Sequence, residues 1–431
     1  MATGTVLSPA FPLTSRVGER GRLEIGGCDA IELAREFGTP AYVVDEHDLR
    51  SRAQAFAAAA AAAGKPELRV VLASKAFPCT AVLELFAREG LWCDVASAGE
   101  LHLALAAGFA PERIVLHGNA KSEQELRAAL AHRVGLIVVD NLDEIARLQS
   151  LLSEPALADA AAAAQDVLVR VNPDIRGDTH EKISTGQADS KFGFAFEQAP
   201  EAIARVGEVE GLRLRGLHAH IGSQLSDLEP FLRAAAELGR LGEFEVWDLG
   251  GGLAVQYTED QPAPPTIEEY VAAVVGAARE HRGGGEAGTL MIEPGRALCA
   301  NACVTLYTVE SVKQNVSRWV AVDGGMSDNL RPMLYGARYE AHVADRLGGS
   351  QRCVLAGKHC ESGDVIVRDA LLDDPRPGDV IVTPATGAYG YAMGNNYNGV
   401  PRAPVIFCSD GDARAVVRRE TLEDLHSRDV R

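Results

Sequence analysis

Val70-Val71-Leu72-Ala73-Ser74-Lys75 is an unbroken apolar run that ends in a serine and a lysine. A run without alternation suits a strand buried on both faces, because both sides of its pleat must then be apolar. The unit of apolar run, polar or glycine turn and amphipathic stretch occurs seven more times. The later runs are Trp92-Cys93-Asp94-Val95, Ile114-Val115-Leu116, Leu136-Ile137-Val138-Val139, Val167 to Val171, Arg215 to His220, Val246-Trp247-Asp248-Leu249 and Leu290-Met291-Ile292-Glu293. Eight such units predict an α/β fold built on a closed (β/α)8 TIM-type barrel. An open doubly wound sheet is the alternative, but no Gly-x-Gly-x-x-Gly follows the first strand, which weakens its dinucleotide-binding form.

Beyond about Ala300 the rhythm changes to short strands between glycine and proline turns, at Val304 to Tyr307, Trp319 to Val322, Val365 to Val367, Val380 to Val382 and Pro404 to Phe407. This predicts a second, mainly β C-terminal domain. The first 45 residues lack a helical rhythm before Ile31 and join it, giving a barrel over 46–300 and a β-rich domain from 1–45 and 301–431. Two alanine-rich tracts, Ala57 to Ala63 and Ala160 to Ala164, read as outer helix segments. The connection from Asn172 to Phe194 is long for a compact unit and varied in sequence, which suits an active-site lid.

Composition narrows the function classes. The 431 residues are 47% hydrophobic and 24% charged, the balance of a globular chain. A net charge of −18 with no local basic patch argues against a nucleic-acid partner. No apolar stretch is long enough for a membrane span, and the first residues lack the pattern of a signal peptide, so a cytoplasmic protein is expected. Eight cysteines without a CxxC pair match neither a disulfide framework nor a zinc ribbon.

In such a barrel the reactive groups stand at the carboxyl ends of the strands. Strand one ends in Ser74-Lys75, strand six in His218-Ala219-His220 before Ile221-Gly222-Ser223, strand seven in Gly250-Gly251-Gly252 and strand eight in Glu293-Pro294-Gly295-Arg296. Each has a plain reading: an exposed lysine, a flexible turn, a buried carboxylate with a basic neighbour. Each also has a chemical one. Lysine at an apolar rim is partly desolvated and can form a Schiff base with a carbonyl. Glycines let backbone N–H groups approach a phosphate, with Arg296 beside them to bind phosphate or a substrate carboxylate. His218 and His220, two apart on a strand, would face one side and could ligate zinc, but a third ligand has no obvious source. One imidazole lying flat on an aromatic cofactor needs none, and Glu293 opposite a pyridine nitrogen would keep that nitrogen protonated. Together these describe a pyridoxal 5'-phosphate site with no metal.

The residues resemble the fold-type III pyridoxal phosphate-dependent decarboxylases, of the alanine racemase and ornithine decarboxylase-like superfamily, and within them the actinobacterial branch that acts on diaminopimelate. The resemblance runs from Thr39-Pro40-Ala41-Tyr42-Val43-Val44-Asp45 to Val416 through Thr421. It takes in Ala73-Ser74-Lys75-Ala76-Phe77, Asp94 to Leu101, His117-Gly118-Asn119, His220 to Gln224, Asp323 to Asn329, Gly357 to Asp364 and Gly387 to Tyr391. It implies that Lys75 holds the cofactor, His220 stacks on its ring and Glu293 pairs with its nitrogen. Ser223, Gly251, Gly252, Gly295, Arg296 and Tyr389 would hold the phosphate. Cys360 corresponds to the family's proton donor and Glu361 to the carboxylate that reads the substrate's distal amine, both supplied by the partner subunit of a homodimer. The other seven cysteines read as buried thiols.

The implied activity is decarboxylation of meso-2,6-diaminopimelate to L-lysine, the last step of lysine biosynthesis. Its substrate carries a second carboxylate, for which Arg331 offers a cation, with Arg296, Tyr335 and Tyr389 completing the substrate site. Ornithine decarboxylases typically carry Cys-Asp in place of Cys360-Glu361 and Asp in place of Gly336, which points away from ornithine. A decarboxylase of a related amino acid in a secondary pathway is the nearest alternative. A same-fold racemase would place a tyrosine where Cys360 stands, and a silent regulatory homologue would lack Lys75 or Cys360.

Overall fold

The computed structural model describes residues 7–175, 190–282 and 288–430. The chain divides into two compact units, one of Arg52–Ala254 with Pro264–Gly295, the other of Met1–Ser51, Val255–Ala263 and Arg296–Arg431.

The first unit is a closed parallel barrel. Its strands are β1 (Glu67–Ala73), β2 (Trp92–Val95), β3 (Ile114–Leu116), β4 (Leu136–Val139), β5 (Gln165–Asn172), β6 (Leu212–His218), β7 (Val246–Asp248) and β8 (Thr289–Ile292). Each pairs in parallel with the next, and β8 closes on β1 through Thr289↔Glu67 to Ile292↔Val70. All eight fall on the apolar runs read from sequence. Val71, Val115, Leu136, Val138, Leu168, Val246 and Met291 pack into one cluster drawn from six of these strands, so the barrel has a filled core. Polar chemistry is thereby confined to the carboxyl rim.

Local chemistry starts the intervening helices. Ser122 and Glu125 form a reciprocal capping box at Glu123–His132, Asn141 caps Leu142–Leu152, and Thr266 with Glu269 caps Ile267–His281. Each satisfies N–H groups that a helix start leaves without partners. The two alanine tracts lie in the helices Glu46–Ala63 and Ala158–Ala163. Most of the connection read as a lid, residues 176–189, lies outside the described residues.

The second unit is built on a sheet around the long strand Cys303–Gln314, which pairs antiparallel with Ala41–Asp45, Arg318–Val322 and Val380–Thr383. Ala41–Asp45 also runs parallel to Val405–Ser409, which explains how the N-terminal segment joins a C-terminal sheet. Gln351–Ala356 and Asp412–Val417 are further strands not anticipated above. No described helix is long and apolar enough to cross a membrane.

Candidate active site

In the barrel unit, Lys75 sits in the short turn Ser74–Ala76 directly after β1. Its side chain is 51% exposed, so the desolvation expected of it is not what the barrel provides; Asp94 of β2 stands 3.9 Å from its Nζ instead. Asp94 is buried, and burial raises its pKa against the opposing pull of His117 and Lys75.

Glu293 follows β8 and is buried between two imidazoles. Its Oε1 lies 2.7 Å from His117 Nε2 and its Oε2 lies 3.4 Å from His218 Nε2. The two rings meet edge to face, 4.9 Å apart at 66°. Burial alone would raise the Glu293 pKa, but the two histidines outweigh it and hold the carboxyl well below the usual range. Burial pushes His218 down to about 4, so its ring is neutral at pH 7. Asp248, at the end of β7, is driven the other way by burial and by the Glu293 charge, while its Oδ1 accepts the Gly250 N–H at 2.9 Å. Of two neighbouring carboxyls one thus carries the charge and the other the proton.

The strand ends at His218, so His220 does not share its face as the alternation suggested. Donor atoms of His117, His218, Asp248 and Glu293 lie within 4.8 Å of one another, which makes His117 the partner of His218. His220 instead turns Nδ1 to the Gly251 N–H at 3.1 Å, and burial holds it well below its ordinary pKa. A neutral ring whose plane is fixed by a backbone donor suits stacking on an aromatic ligand.

The glycine turn tests whether a phosphorylated cofactor fits. A Cβ on Gly251 would fall 2.1 Å from the Glu293 carbonyl oxygen, one on Gly250 2.6 Å from His220 Nδ1, and one on Gly252 2.6 Å from the Gly222 carbonyl oxygen. Any side chain here would push apart the loops after β6, β7 and β8. Gly295 is equally close to the end of β1, 2.9 Å from the Ala73 Cβ. Ser223 lies half-buried in the loop after β6. The residues fit the group: an amine, a neutral ring, an anionic carboxylate and a backbone cradle stand at the ends of β1, β6, β7 and β8.

Sequence reading missed further rim residues. Besides His117, Asp94 and Asp248, Arg170 of β5 is buried with its guanidinium 4.4 Å over the Phe192 ring. All stand at or near a strand's carboxyl end, a signal that was available at every strand.

The β unit gathers the arginines. Arg296 and Arg331 are each 5% exposed. Arg296 donates to the Tyr257 hydroxyl and lies 5.0 Å over the Tyr389 ring. Arg331 donates to the Tyr339 hydroxyl and lies 4.8 Å over the Tyr257 ring. Among the described residues no ion pair joins Arg331 to an acid. Tyr335 ends the short helix Arg331–Tyr335, half-buried, with no described hydrogen bond or ring contact to either arginine. Cys360 is exposed whereas the other seven thiols are buried. Its N–H is held by Asn398 Oδ1 at 2.9 Å, and Asp364 accepts both the N–H and Nδ1 of His359 beside it. Glu361 is exposed on the same loop.

Residues 47–300 match the pyridoxal-binding domain of the pyridoxal-dependent decarboxylases. The chain is 46% identical to diaminopimelate decarboxylase of Bacillus subtilis, over 97% of each protein. It is 44% identical to the Mycobacterium bovis enzyme of the same name, over 98% of each. Among solved structures, diaminopimelate decarboxylase from M. jannaschii in complex with L-lysine superposes with a TM-score of 0.90 at 33% identity, covering 98% of this chain and 99% of that one.

Proposed function

The chain belongs to the pyridoxal-dependent decarboxylases, and on that premise we propose that it converts meso-2,6-diaminopimelate into L-lysine and CO2 with pyridoxal 5'-phosphate as cofactor. One observation carries the substrate choice. Arg331 is a buried cation with no acid paired to it among the described residues, fastened only by tyrosine oxygens and rings. A buried guanidinium without a carboxylate costs several kcal/mol, roughly 2–5, so it discriminates for a ligand that brings one. Diaminopimelate keeps a second carboxylate after its first is lost, whereas ornithine and lysine have none to spare.

Lys75 offers the primary amine that would hold the cofactor's aldehyde carbon, at the end of β1. When bound, pyridoxal phosphate supplies an electron sink for the electron pair left as the carbon–carboxyl bond breaks. Glu293, kept anionic by His117 and His218, holds a proton on the ring nitrogen. His220, neutral and pinned by Gly251, covers the ring without adding charge. Ser223, Gly251, Gly252, Gly295, Arg296 and Tyr389 hold the phosphate, and Arg296 and Tyr389 contribute with Arg331 and Tyr335 to substrate binding. Cys360 delivers the proton that replaces the lost carboxylate, and Glu361 reads the distal amine. Both are exposed, as groups offered to another subunit's site would be, so the enzyme works as a homodimer whose β-rich domain (1–45 and 301–431) completes the active site of the 46–300 barrel. It acts in the cytoplasm, where its substrate would be a free amino acid.

The experiment is CO2 release from carboxyl-labelled meso-diaminopimelate, its stereoisomers, lysine, ornithine and arginine. Release from the meso isomer alone, with stoichiometric L-lysine, is expected. Preferential release from ornithine, lysine or arginine would overturn the assignment.

A further inference from the structure

Two buried guanidiniums are brought around one ring in the β unit. The Tyr257 ring centroid is 4.8 Å from the Arg331 guanidinium and 5.7 Å from that of Arg296, and its hydroxyl takes an Arg296 N–H. Tyr257 is itself 4% exposed. Like charges in a low-dielectric setting repel, and a ring face plus a phenol oxygen between them offsets that repulsion. Tyr339 braces the arrangement from the side: its ring meets Tyr257 edge to face at 5.3 Å and 79°, and its hydroxyl accepts from Arg331.

We infer that Tyr257 is a positioning residue for substrate recognition: its hydroxyl and ring fix Arg296 and Arg331 together, so that both cations of the distal-carboxylate clamp are set by one side chain. The titration of these groups agrees. Burial would raise the Tyr257 pKa, yet the two arginines outweigh it and lower it, while burial pushes Tyr339 up to about 12. Both tyrosines feel both cations, but only at Tyr257 do the arginines outweigh burial. This inference rests on the proposed substrate but adds a residue that the motifs above do not contain.

The test is Tyr257→Phe in the holoenzyme, which keeps the ring and removes the hydroxyl. A hydrogen bond to a charged group is strong enough that its loss should raise the KM for meso-diaminopimelate about 10-fold, with kcat changed less than about 3-fold. The inhibition constant of L-lysine, which retains the carboxylate, should rise in parallel. That of cadaverine, the diamine without a carboxylate, should not move, and neither should the visible absorbance of the cofactor. Tyr339→Phe should shift the same constants in the same direction, and it decides the matter if Tyr257→Phe does not fold. Unchanged KM and L-lysine inhibition would overturn the inference, as would equal weakening of L-lysine and cadaverine, which signals general damage. Wild-type enzyme that releases no CO2 from meso-diaminopimelate would instead overturn the substrate assignment, so the two failures are distinct.

Discussion

His117 Nε2 lies 2.7 Å from Glu293 Oε1, joining the end of β3 to the end of β8 across the barrel mouth. The contact is one of two that keep Glu293 ionised against its own burial. His117→Ala should lower kcat on the order of 10- to 100-fold, because a charge-assisted contact is worth about 1.5–3 kcal/mol. It should also move the visible absorbance of the bound cofactor, while His117→Asn, which keeps a donor, recovers part of both. Steady-state kinetics with a spectrum of each variant check this; unaltered kcat and spectrum would remove His117 from the site.

His218 sets a pH dependence. Its pKa in the fold is about 4 against 6.5 for an unperturbed imidazole, so on acidification the unfolded chain binds the proton first. The stability it contributes is complete above about pH 6.5 and is lost as pH falls toward 4, by on the order of 3 kcal/mol. Asp328, pushed up to about 7 by burial, changes in the opposite sense over part of this window, so the comparison must be differential. Urea unfolding of wild type and His218→Gln from pH 7 to 4 should show the difference between them shifting by that amount against wild type. A pH-independent difference would refute it.

Lys121 and Glu144 form a buried pair at 2.8 Å, and Lys121 Nζ also reaches the carbonyls of Gly118 and Val138. The pair ties the loop after β3, which carries His117, to the helix Leu142–Leu152, and the Val138 carbonyl ties it to β4. Glu144→Ala strands a buried ammonium and should cost about 3–5 kcal/mol in denaturant unfolding. Lys121→Met with Glu144→Leu, which removes both charges, should cost much less. Equal losses in the single and double variants would show that packing, not charge, holds this corner.

Arg331→Ala should raise the KM for meso-diaminopimelate about 100-fold with a smaller change in kcat, since the lost interaction is a buried charge pair with a non-reacting carboxylate. Arg331→Lys should recover little, because an ammonium does not reproduce the planar fork that meets Tyr339 and a carboxylate together. Initial-rate kinetics decide it; an unchanged KM would take Arg331 out of the substrate site.

The barrel was legible because strands buried on both faces leave uninterrupted apolar runs, and Val70–Ala73 or Leu136–Val139 has no other economical reading. Lys75, His220, Gly251 and Glu293 were legible as rim positions because they end such runs or stand within two residues of them. The strand Asp412–Val417 was not, since it lies at a sheet edge and its first half alternates alanine with the charged Asp412 and Arg414. Nor was the fate of the His218–His220 pair, because alternation cannot reveal that the strand stops at the first of them. Tyr257 and Tyr339 were invisible for another reason: they are separated by 82 positions in loops without periodicity, and only the folded unit brings their rings to 5.3 Å.

The most direct test follows carbon and colour together in wild type and Lys75→Ala after incubation with pyridoxal 5'-phosphate and carboxyl-labelled meso-diaminopimelate. Wild type should hold the cofactor with a visible absorbance band and release one CO2 for each L-lysine formed, and Lys75→Ala should lose both the band and the turnover. A wild-type protein that takes up no cofactor, or a Lys75→Ala variant that still releases CO2 at the wild-type rate, would contradict the account.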